Sequence, residues 1–295
     1  MISRRRFLTI SAAALATPAM ASAPVKWQGV AMGAEVALTL DAPPEIAKPA
    51  IAQVRQLLAE CESLFSLYDP FSALSQLNKD GVLQRPDPRF HQLITRCDRM
   101  HRATNGRFDP TVQPLWSALA QGHDPYPVQH LIGWDQVTFK PDRITLGAGQ
   151  ALTLNGIAQG FVTDLATQVL IDAGLTDVLV NIGEFRGNGR NWTLGVSDPE
   201  YGLVQTRVLR NRAIATSSPT ALTLVDGQPH IVNLQGAGQP LWSTVSVEAD
   251  EAVTADALST AFCYADAYEI AATLRAIDGA PTAICVGHNG SITEL

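Results

Sequence analysis

Two oxygen-bearing side chains stand four residues apart near the carboxyl end of the sequence. They are Asp256 and Thr260 in the run ADALSTA, at the start of a predicted helix, so both project from one helix face. A carboxylate and a hydroxyl suit a hard divalent cation such as Mg²⁺, which keeps waters and takes further ligands from phosphate and backbone carbonyls. The same pair also fits a simpler interpretation, a helix N-cap with a solvated neighbour.

A second candidate site is the segment LNGIAQG, residues 154–160, between a predicted strand and a predicted helix. Small residues let the backbone approach a ligand, and a helix N-terminus favours an anionic phosphate. The sequence has neither a Walker motif nor a GxGxxG fingerprint. Taken alone, this segment is better interpreted as a structural turn.

A third candidate is His230, in the run PHIVNL before the loop QGAG. An imidazole with a pKa near 6.5 is a usable base at neutral pH, provided that a reactive group lies close by. Without such a neighbour, a histidine that leads into a strand is structural or merely exposed.

Hydrophobic periodicity predicts the elements that must position these residues. A strand pair spans 25–40, a helix spans 45–65 and a second helix follows Pro88, whereas 106–143 is irregular. Beyond Thr145 the pattern predicts a helix over 157–173 capped by Gly174, a buried strand over 178–182, and helices over 255–264 and 267–276. It also predicts strands near 192–197, 204–209, 213–216, 230–234, 244–249, 282–286 and 291–293. This order predicts one α/β (α+β mixed) domain of about 270 residues.

Composition excludes several classes of protein. The 295 residues are 46% hydrophobic and 17% charged, with a formal net charge of -7. These values exclude a collagen-like, coiled-coil or wholly disordered chain, and no strongly basic balance indicates a nucleic-acid partner.

The first 23 residues have the layout of a secretory signal. An arginine run is followed by an alanine-rich apolar stretch and small residues, and the run SRRRFL at 3–8 resembles a twin-arginine export signal. An amphipathic amino-terminal helix is the alternative. We therefore expect residues 1–23 to be a signal peptide and residues 24–295 to form an exported, periplasmic domain without a permanent membrane anchor. The chain without residues 1–23 contains 18 basic and 28 acidic residues.

The four cysteines, at 61, 97, 263 and 285, include no CxxC pair and no zinc-like spacing. One or two disulfides and buried free thiols both fit an oxidising compartment. The sequence does not choose between these alternatives.

Taken in order, a set of motifs resembles the ApbE family, the FAD:protein FMN transferases. After Met32-Gly33, the segments that carry the resemblance are FSLYDPFSALSQLN (65–78), TNGRFDPTVQPLW (104–116), NGIAQGFVTD (155–164), VNIGEFRGNG (180–189), AIATSS (213–218), HIVN (230–233) and ADALSTA (255–261). The resemblance spans nearly the whole chain after the leader. It implies a single T-fold-related domain with mixed sheets flanked by helices.

The chain departs from the family pattern at specific positions. Gln159 stands where the family has Lys, Thr153 replaces a common carboxylate, and Glu184 follows Gly183 in place of a second Gly. The family's Asp-Pro-x-Thr-Gly after the histidine strand is NLQG, residues 233–236. These departures affect the expected FAD contacts more than the expected catalytic residues.

The resemblance also implies an activity and roles for individual residues. FMN would pass from FAD to a Thr or Ser hydroxyl of an acceptor flavoprotein, and AMP would leave. Asp256 and His230 are the expected catalytic residues, with His230 as the base. Mg²⁺ would be held by Gly156, Asp256, Ser259 and Thr260. Tyr68 would lie against the isoalloxazine ring, and the other expected FAD contacts are Met32, Arg107, Phe108, Asp109, Gln159 and Ile231.

Gln159 and the run GEFR at 183–186 are similar to the NosX branch of the family, exported proteins that serve the membrane flavoprotein of nitrous-oxide respiration. Two other functions remain open. One is an Mg²⁺-dependent FAD pyrophosphatase that gives water access to the same centre. The other is a periplasmic flavin-binding or assembly protein that keeps the pocket without turnover.

Overall fold

The computed structural model describes residues 24–234 and 238–295, with the backbone alone at Asp226. The expected signal peptide, residues 1–23, lies outside the described residues. Within them, no helix combines the length and apolar character needed to cross a membrane.

The chain folds as the mixed α/β protein that the sequence predicts. Its strands are β1 (Val25–Ala31), β2 (Ala34–Leu40), β3 (Val82–Gln84), β4 (Thr138–Lys140), β5 (Arg143–Thr145), β6 (Val178–Ile182), β7 (Phe185–Asn188), β8 (Trp192–Asp198), β9 (Gly202–Leu209), β10 (Arg212–Ser217), β11 (Thr244–Ala249), β12 (Thr282–Val286) and β13 (Ile292–Glu294). Its α-helices are α1 (Pro44–Phe65), α2 (Ala73–Asp80), α3 (Pro88–Ala103), α4 (Gln113–Ala120), α5 (Ala158–Asp172), α6 (Ala252–Phe262) and α7 (Ala267–Ala276).

One eight-stranded sheet organises the molecule, in the order β1-β2-β6-β7-β10-β11-β12-β13. Neighbouring strands in it run antiparallel, as they do in the small sheets β3-β5-β4 and β8-β9. The main hydrophobic core includes buried residues of α1, α5 and α6, among them Val54, Val162 and Leu258. A smaller core, which includes Trp192 and Leu194, joins the β8-β9 pair to the sheet.

The predicted strand over 230–234 is wrong. At His230 the backbone groups bond to a turn just upstream and to a side chain from a distant part of the chain. The His230 N–H donates to the carbonyl oxygens of Pro219 and Leu222, and Trp116 Nε1 donates to the His230 carbonyl oxygen. His230 therefore does not pair with a neighbouring strand, and the described residues 230–234 form none.

The helix predicted over 255–264 begins one turn earlier, at Ala252. Its amino-terminal N–H groups are capped by Asp164 of α5, 88 residues away in the sequence, at 2.9 Å from both Ala252 N and Val253 N. A cap supplied from another helix leaves no local sequence signal. The structure also has helices α2 and α4, which the sequence pattern does not predict.

All four cysteines are buried free thiols. Burial raises the pKa of Cys61 and of Cys285 to about 12. Of the two alternatives that the sequence leaves open, the structure therefore has buried thiols and not disulfides.

Candidate active site

Helices α5 and α6 meet at the point where two of the sequence motifs come together. The backbone N–H of Gly160 donates to Oδ2 of the buried Asp256 at 2.9 Å. A Cβ on Gly160 would lie 2.3 Å from the carbonyl oxygen of Ala252. Only glycine therefore allows this approach, which fixes a carboxylate against the start of α5.

Hydroxyl groups lie one turn of α6 beyond this carboxylate. Ser259 Oγ is 2.8 Å from Ser217 Oγ at the end of β10, and Ser217 Oγ is 3.4 Å from Thr260 Oγ1. A Cβ on Gly156 would lie 2.9 Å from Thr260 Oγ1. The four residues predicted to hold the metal, Gly156, Asp256, Ser259 and Thr260, thus gather where α5, α6 and β10 meet.

Two buried carboxylates give this junction an excess of negative charge. Burial raises the pKa of Asp256, and burial together with the charge of Asp256 raises the pKa of Glu184. The Thr216 N–H donates to Glu184 Oε2 at 3.2 Å, which offsets the rise only in part. Over residues 24–234 and 238–295, neither carboxylate forms an ion pair with a basic side chain.

The oxygen donors at the junction fit the hard cation expected from the sequence. They comprise carboxylate and hydroxyl groups, and Mg²⁺ prefers such ligands together with water and phosphate. No group of three or more His, Cys, Asp or Glu residues that could hold a metal occurs in the described parts of the chain. A cation here would therefore depend on hydroxyl and carbonyl oxygens and on the phosphates of a substrate.

A third acidic residue, Asp164, holds α6 in place. Besides its two bonds to the amino end of α6, Asp164 forms an ion pair with Arg186 Nη1 on β7. Desolvation raises the pKa of this half-buried carboxyl, whereas the Arg186 charge and the two N–H donors lower it. The Asp164 carboxylate therefore serves structure, because α6 and Arg186 already use its oxygens.

The turn between β1 and β2 lies against α1 and α5. Met32 has a φ of 53°, and its N–H donates to Glu62 Oε1 at 3.0 Å. Its carbonyl oxygen accepts from Gln159 Nε2 at 3.1 Å. A Cβ on Gly183 would lie 2.6 Å from the Gln159 side chain. Two of the predicted FAD contacts, Met32 and Gln159, are thus in direct contact.

Tyr68 lies in the loop after α1 and is 59% exposed, so it is not a core tyrosine. Ser66 Oγ accepts from the N–H groups of Tyr68 and Asp69, which fixes the loop backbone. An exposed aromatic ring on an ordered loop is available to stack on a planar ligand.

The segment 107–109 has a different character, since its side chains are used within the protein. Arg107 donates to the carbonyl oxygen of Tyr264 and to Glu269 Oε1. Phe108 is buried, and Asp109 Oδ1 accepts from the N–H and hydroxyl of Thr111. The FAD contacts expected at Arg107, Phe108 and Asp109 stay predictions.

His230 is held by the turn that follows β10. Its Nδ1 lies 2.9 Å from the Pro219 carbonyl oxygen and 3.0 Å from that of Leu222. Carbonyl oxygens only accept hydrogen bonds, so Nδ1 carries the proton and Nε2 keeps its lone pair. Burial lowers the pKa of His230, which favours the neutral base. The neighbouring Ile231, expected to contact FAD, accepts from the Tyr264 hydroxyl through its carbonyl oxygen.

The sequence alone assigns no role to three residues at this site. Ser217 lies in the AIATSS motif, Glu184 in the NIGEFRG motif, and Asp164 ends NGIAQGFVTD. The motifs mark the segments, but only the tertiary contacts show that Ser217 and Asp164 bind α6 and that Glu184 binds the backbone of β10.

Known proteins resemble this chain in sequence and in fold. Residues 32–284 match the model of the ApbE family. The curated FAD:protein FMN transferase of Chlamydia trachomatis is 26% identical over 248 residues, 74% of this chain and 76% of the relative. Its counterpart from Chlamydia muridarum is 28% identical over 133 residues, 40% of this chain and 42% of that protein, so the match spans less than half of its length.

Solved structures share the fold at lower identity. The flavin transferase ApbE from Vibrio cholerae is 20% identical with a TM-score of 0.77, and the match covers 92% of this chain and 96% of that one. The ApbE protein from Thermotoga maritima is 23% identical with a TM-score of 0.81, over 92% and 96% of the two chains.

Proposed function

The chain belongs to the ApbE family, and from this premise we propose that it is an FAD:protein FMN transferase. In the proposed reaction, a Thr or Ser hydroxyl of an acceptor flavoprotein attacks the FMN phosphorus of FAD. A phosphoester bond to the acceptor forms, the pyrophosphate bond breaks and AMP leaves. The name of the curated relatives and the geometry of the α5–α6 junction support this assignment.

Mg²⁺ is the proposed cation, with Asp256, Thr260 and the Gly156 carbonyl as its protein ligands and Ser259 beside them. When bound, it would neutralise and orient the pyrophosphate oxygens, which otherwise repel an incoming hydroxyl. The chain's own contribution is to fix Asp256. The Gly160 N–H holds one carboxylate oxygen, and α6 is anchored through Asp164.

His230 is the proposed base. Its Nε2 takes the proton of the acceptor hydroxyl as the new P–O bond forms, and AMP carries away the electron pair of the broken bond. The carbonyls of Pro219 and Leu222 fix the ring and its tautomer. They also stabilise the imidazolium once it has formed, because Nδ1–H points at two negative dipole ends.

FAD would lie between the β1–β2 turn and the loop that carries Tyr68. The exposed tyrosine ring would stack on the isoalloxazine, and Met32 with Gln159 would line the adjacent surface.

We also propose export to the periplasm by the twin-arginine route, supported by the run SRRRFL, and service to a membrane flavoprotein of nitrous-oxide respiration. If Arg4 and Arg5 are both replaced by Lys, the protein should accumulate in the cytoplasm; unchanged periplasmic levels would refute this route.

One observation carries the proposed activity. In a chain whose residues 32–284 match the ApbE family, Gly156, Asp256 and Thr260 come from two separate motifs and meet in one place. A fold kept for structure alone does not require a buried carboxylate without a basic partner at that point.

The deciding experiment incubates the purified protein with FAD, Mg²⁺ and a candidate acceptor flavoprotein. In-gel flavin fluorescence measures labelled acceptor, and chromatography measures free FMN and AMP. A transferase labels the acceptor and releases AMP, while the acceptor with its target Thr or Ser changed to Ala stays dark. Free FMN without label would indicate a pyrophosphatase, and bound FAD with neither product would indicate a flavin-binding protein.

A further inference from the structure

We propose that Glu184 is a second carboxylate of the cation site, acting with Asp256 to hold the divalent cation on which the reaction depends. The inference rests on the proposed function and extends it. It concerns a position at which this chain has Glu after Gly183.

The contacts of Glu184 place it at the junction of α5, α6 and β10. Its Oε2 accepts from the backbone N–H of Thr216, and the next residue, Ser217, contacts Ser259 of α6. Its carbonyl oxygen accepts from Thr163 Oγ1 of α5 at 3.4 Å. Glu184 is only 8% exposed, so its carboxylate cannot turn away into bulk solvent.

The charges at the junction do not balance. Glu184 and Asp256 are buried carboxylates and Asp164 is a half-buried one, and Arg186 is the basic side chain that pairs with Asp164. In the described part of the chain, Glu184 and Asp256 form no ion pair with Lys, Arg or His. Buried charges without partners are costly, and one divalent cation supplies the missing two charges.

The charges of the site agree with this interpretation. Two carboxylates buried at one junction repel each other, and a divalent cation held by both would offset that repulsion.

A purely structural role makes a different prediction. In that case Glu184 is a neutral side chain whose only task is to accept the Thr216 N–H. Glutamine keeps an acceptor oxygen of the same shape and reach but can supply no charge. The Glu184→Gln variant therefore separates the two roles, and Glu184→Gly, which removes the whole side chain, gives an independent second variant.

The test measures Mn²⁺ binding by electron paramagnetic resonance, with the metal alone and with FAD present but no acceptor. We expect Glu184→Gln and Glu184→Gly each to weaken Mn²⁺ binding at least tenfold, and Asp256→Asn to weaken it further. Glu248→Gln is the matched control. Glu248 also projects from the main sheet, but Arg212 already neutralises it, so its loss should leave Mn²⁺ binding unchanged.

Thermal unfolding without metal checks that each variant is folded. Wild-type affinity in Glu184→Gln would overturn the inference while leaving the proposed function intact, provided that Asp256→Asn loses the metal. Absence of Mn²⁺ binding in the wild type under both conditions would overturn the proposed cation site together with the inference.

Discussion

Gly160 and Asp256 are joined by a hydrogen bond of 2.9 Å from a backbone N–H to a buried carboxylate oxygen. The bond links the first turn of α5 to the middle of α6, across 96 residues of sequence. It uses one oxygen of the residue on which the proposed chemistry depends, and its geometry requires that position 160 have no side chain.

Replacing Gly160 with Ala should therefore damage both the fold and the site. The added Cβ would lie 2.3 Å from the Ala252 carbonyl oxygen, and backbone cannot rotate away as a side chain can. We expect a loss of about 2–3 kcal/mol in the free energy of unfolding, typical of overpacking, together with loss of Mn²⁺ binding. Urea denaturation measures the first effect.

Gly156→Ala provides the comparison for this prediction. Its Cβ meets the side chain of Thr260, which can change rotamer, so stability should fall less than in Gly160→Ala. Cation binding should still weaken, because Thr260 must move. Equal destabilisation by the two substitutions would contradict the assigned difference between backbone and side-chain contact.

Asp164 should be essential to the stability of α6. Removal of its carboxylate in Asp164→Ala takes away the cap of two N–H groups and leaves Arg186 without its ion-pair partner. Because both side chains are half-buried, the loss should be smaller than the roughly 3–5 kcal/mol of a fully buried pair. Hydrogen exchange should quicken first at Ala252 and Val253. Asp172→Asn, at the exposed end of the same helix, should change neither measurement.

The pH dependence of the reaction should report on His230. Burial lowers its pKa below the ordinary 6.5, so the base remains neutral at pH 7 and rates should fall only below pH 6.5. His230→Ala should reduce the transfer rate about 10²–10⁴-fold while FAD affinity changes little. Single-turnover labelling at several pH values measures the rate. A wild-type acid limb above pH 7 would contradict the assignment.

The lowered pKa of His230 also predicts how the stability of the fold depends on pH. The unfolded chain protonates this imidazole near pH 6.5, whereas the folded chain does so at lower pH. Between these two values the unfolded state holds more protons, so this group's contribution to stability falls as pH drops through 6.5. His230→Gln should show a smaller fall than the wild type in urea denaturation at pH 5.5 and 7.5.

Tyr68 should affect FAD affinity without affecting the fold. The ring is mostly exposed, so Tyr68→Ala should leave the unfolding temperature unchanged. Loss of an aromatic stacking partner should weaken FAD binding about 3–10-fold, since such pairs contribute about 0.5–1.5 kcal/mol. Tyr68→Phe should bind nearly as well as the wild type. Tyr126→Ala, at another exposed tyrosine, is the control, and a matching loss there would refute a specific stack.

The sequence predicts the elements that carry the site better than it predicts their contacts. The four-residue spacing of Asp256 and Thr260 and the small residues at 154–160 identify both halves of the junction, because helix periodicity and glycine are local signals. The start of α6 is missed because its cap, Asp164, comes from another helix.

The strand expected over 230–234 fails for a related reason. Its pattern is that of a strand, but Trp116 and the turn at Pro219 take the backbone groups at His230. The role of Glu184 is likewise invisible in the sequence. Only the fold shows that the Glu184 side chain is buried and binds the backbone of β10 at Thr216. Contacts of this kind depend on tertiary packing, which local propensity does not encode.

Replacing Gln159 with Lys should strengthen FAD binding and weaken cation binding. The Gln159 amide donates to the Met32 carbonyl oxygen, a bond that a Lys ammonium can also donate. Gln159→Lys would add a positive charge beside Gly183 and hence near Glu184. We expect FAD, which carries an anionic pyrophosphate, to bind several-fold more tightly at low salt, and Mn²⁺ to bind more weakly. Fluorescence titration and paramagnetic resonance measure the two affinities.

The salt dependence and a control identify the cause of these changes. The gain in FAD affinity should shrink as ionic strength rises, because added salt screens a charge that solvent can reach. Gln168→Lys adds the same charge on the exposed face of α5, where Gln168 contacts Asp172, and should alter neither affinity. Unchanged Mn²⁺ affinity in Gln159→Lys would mean that the added ammonium does not face the acidic pair and that residue 159 has no influence on the cation site.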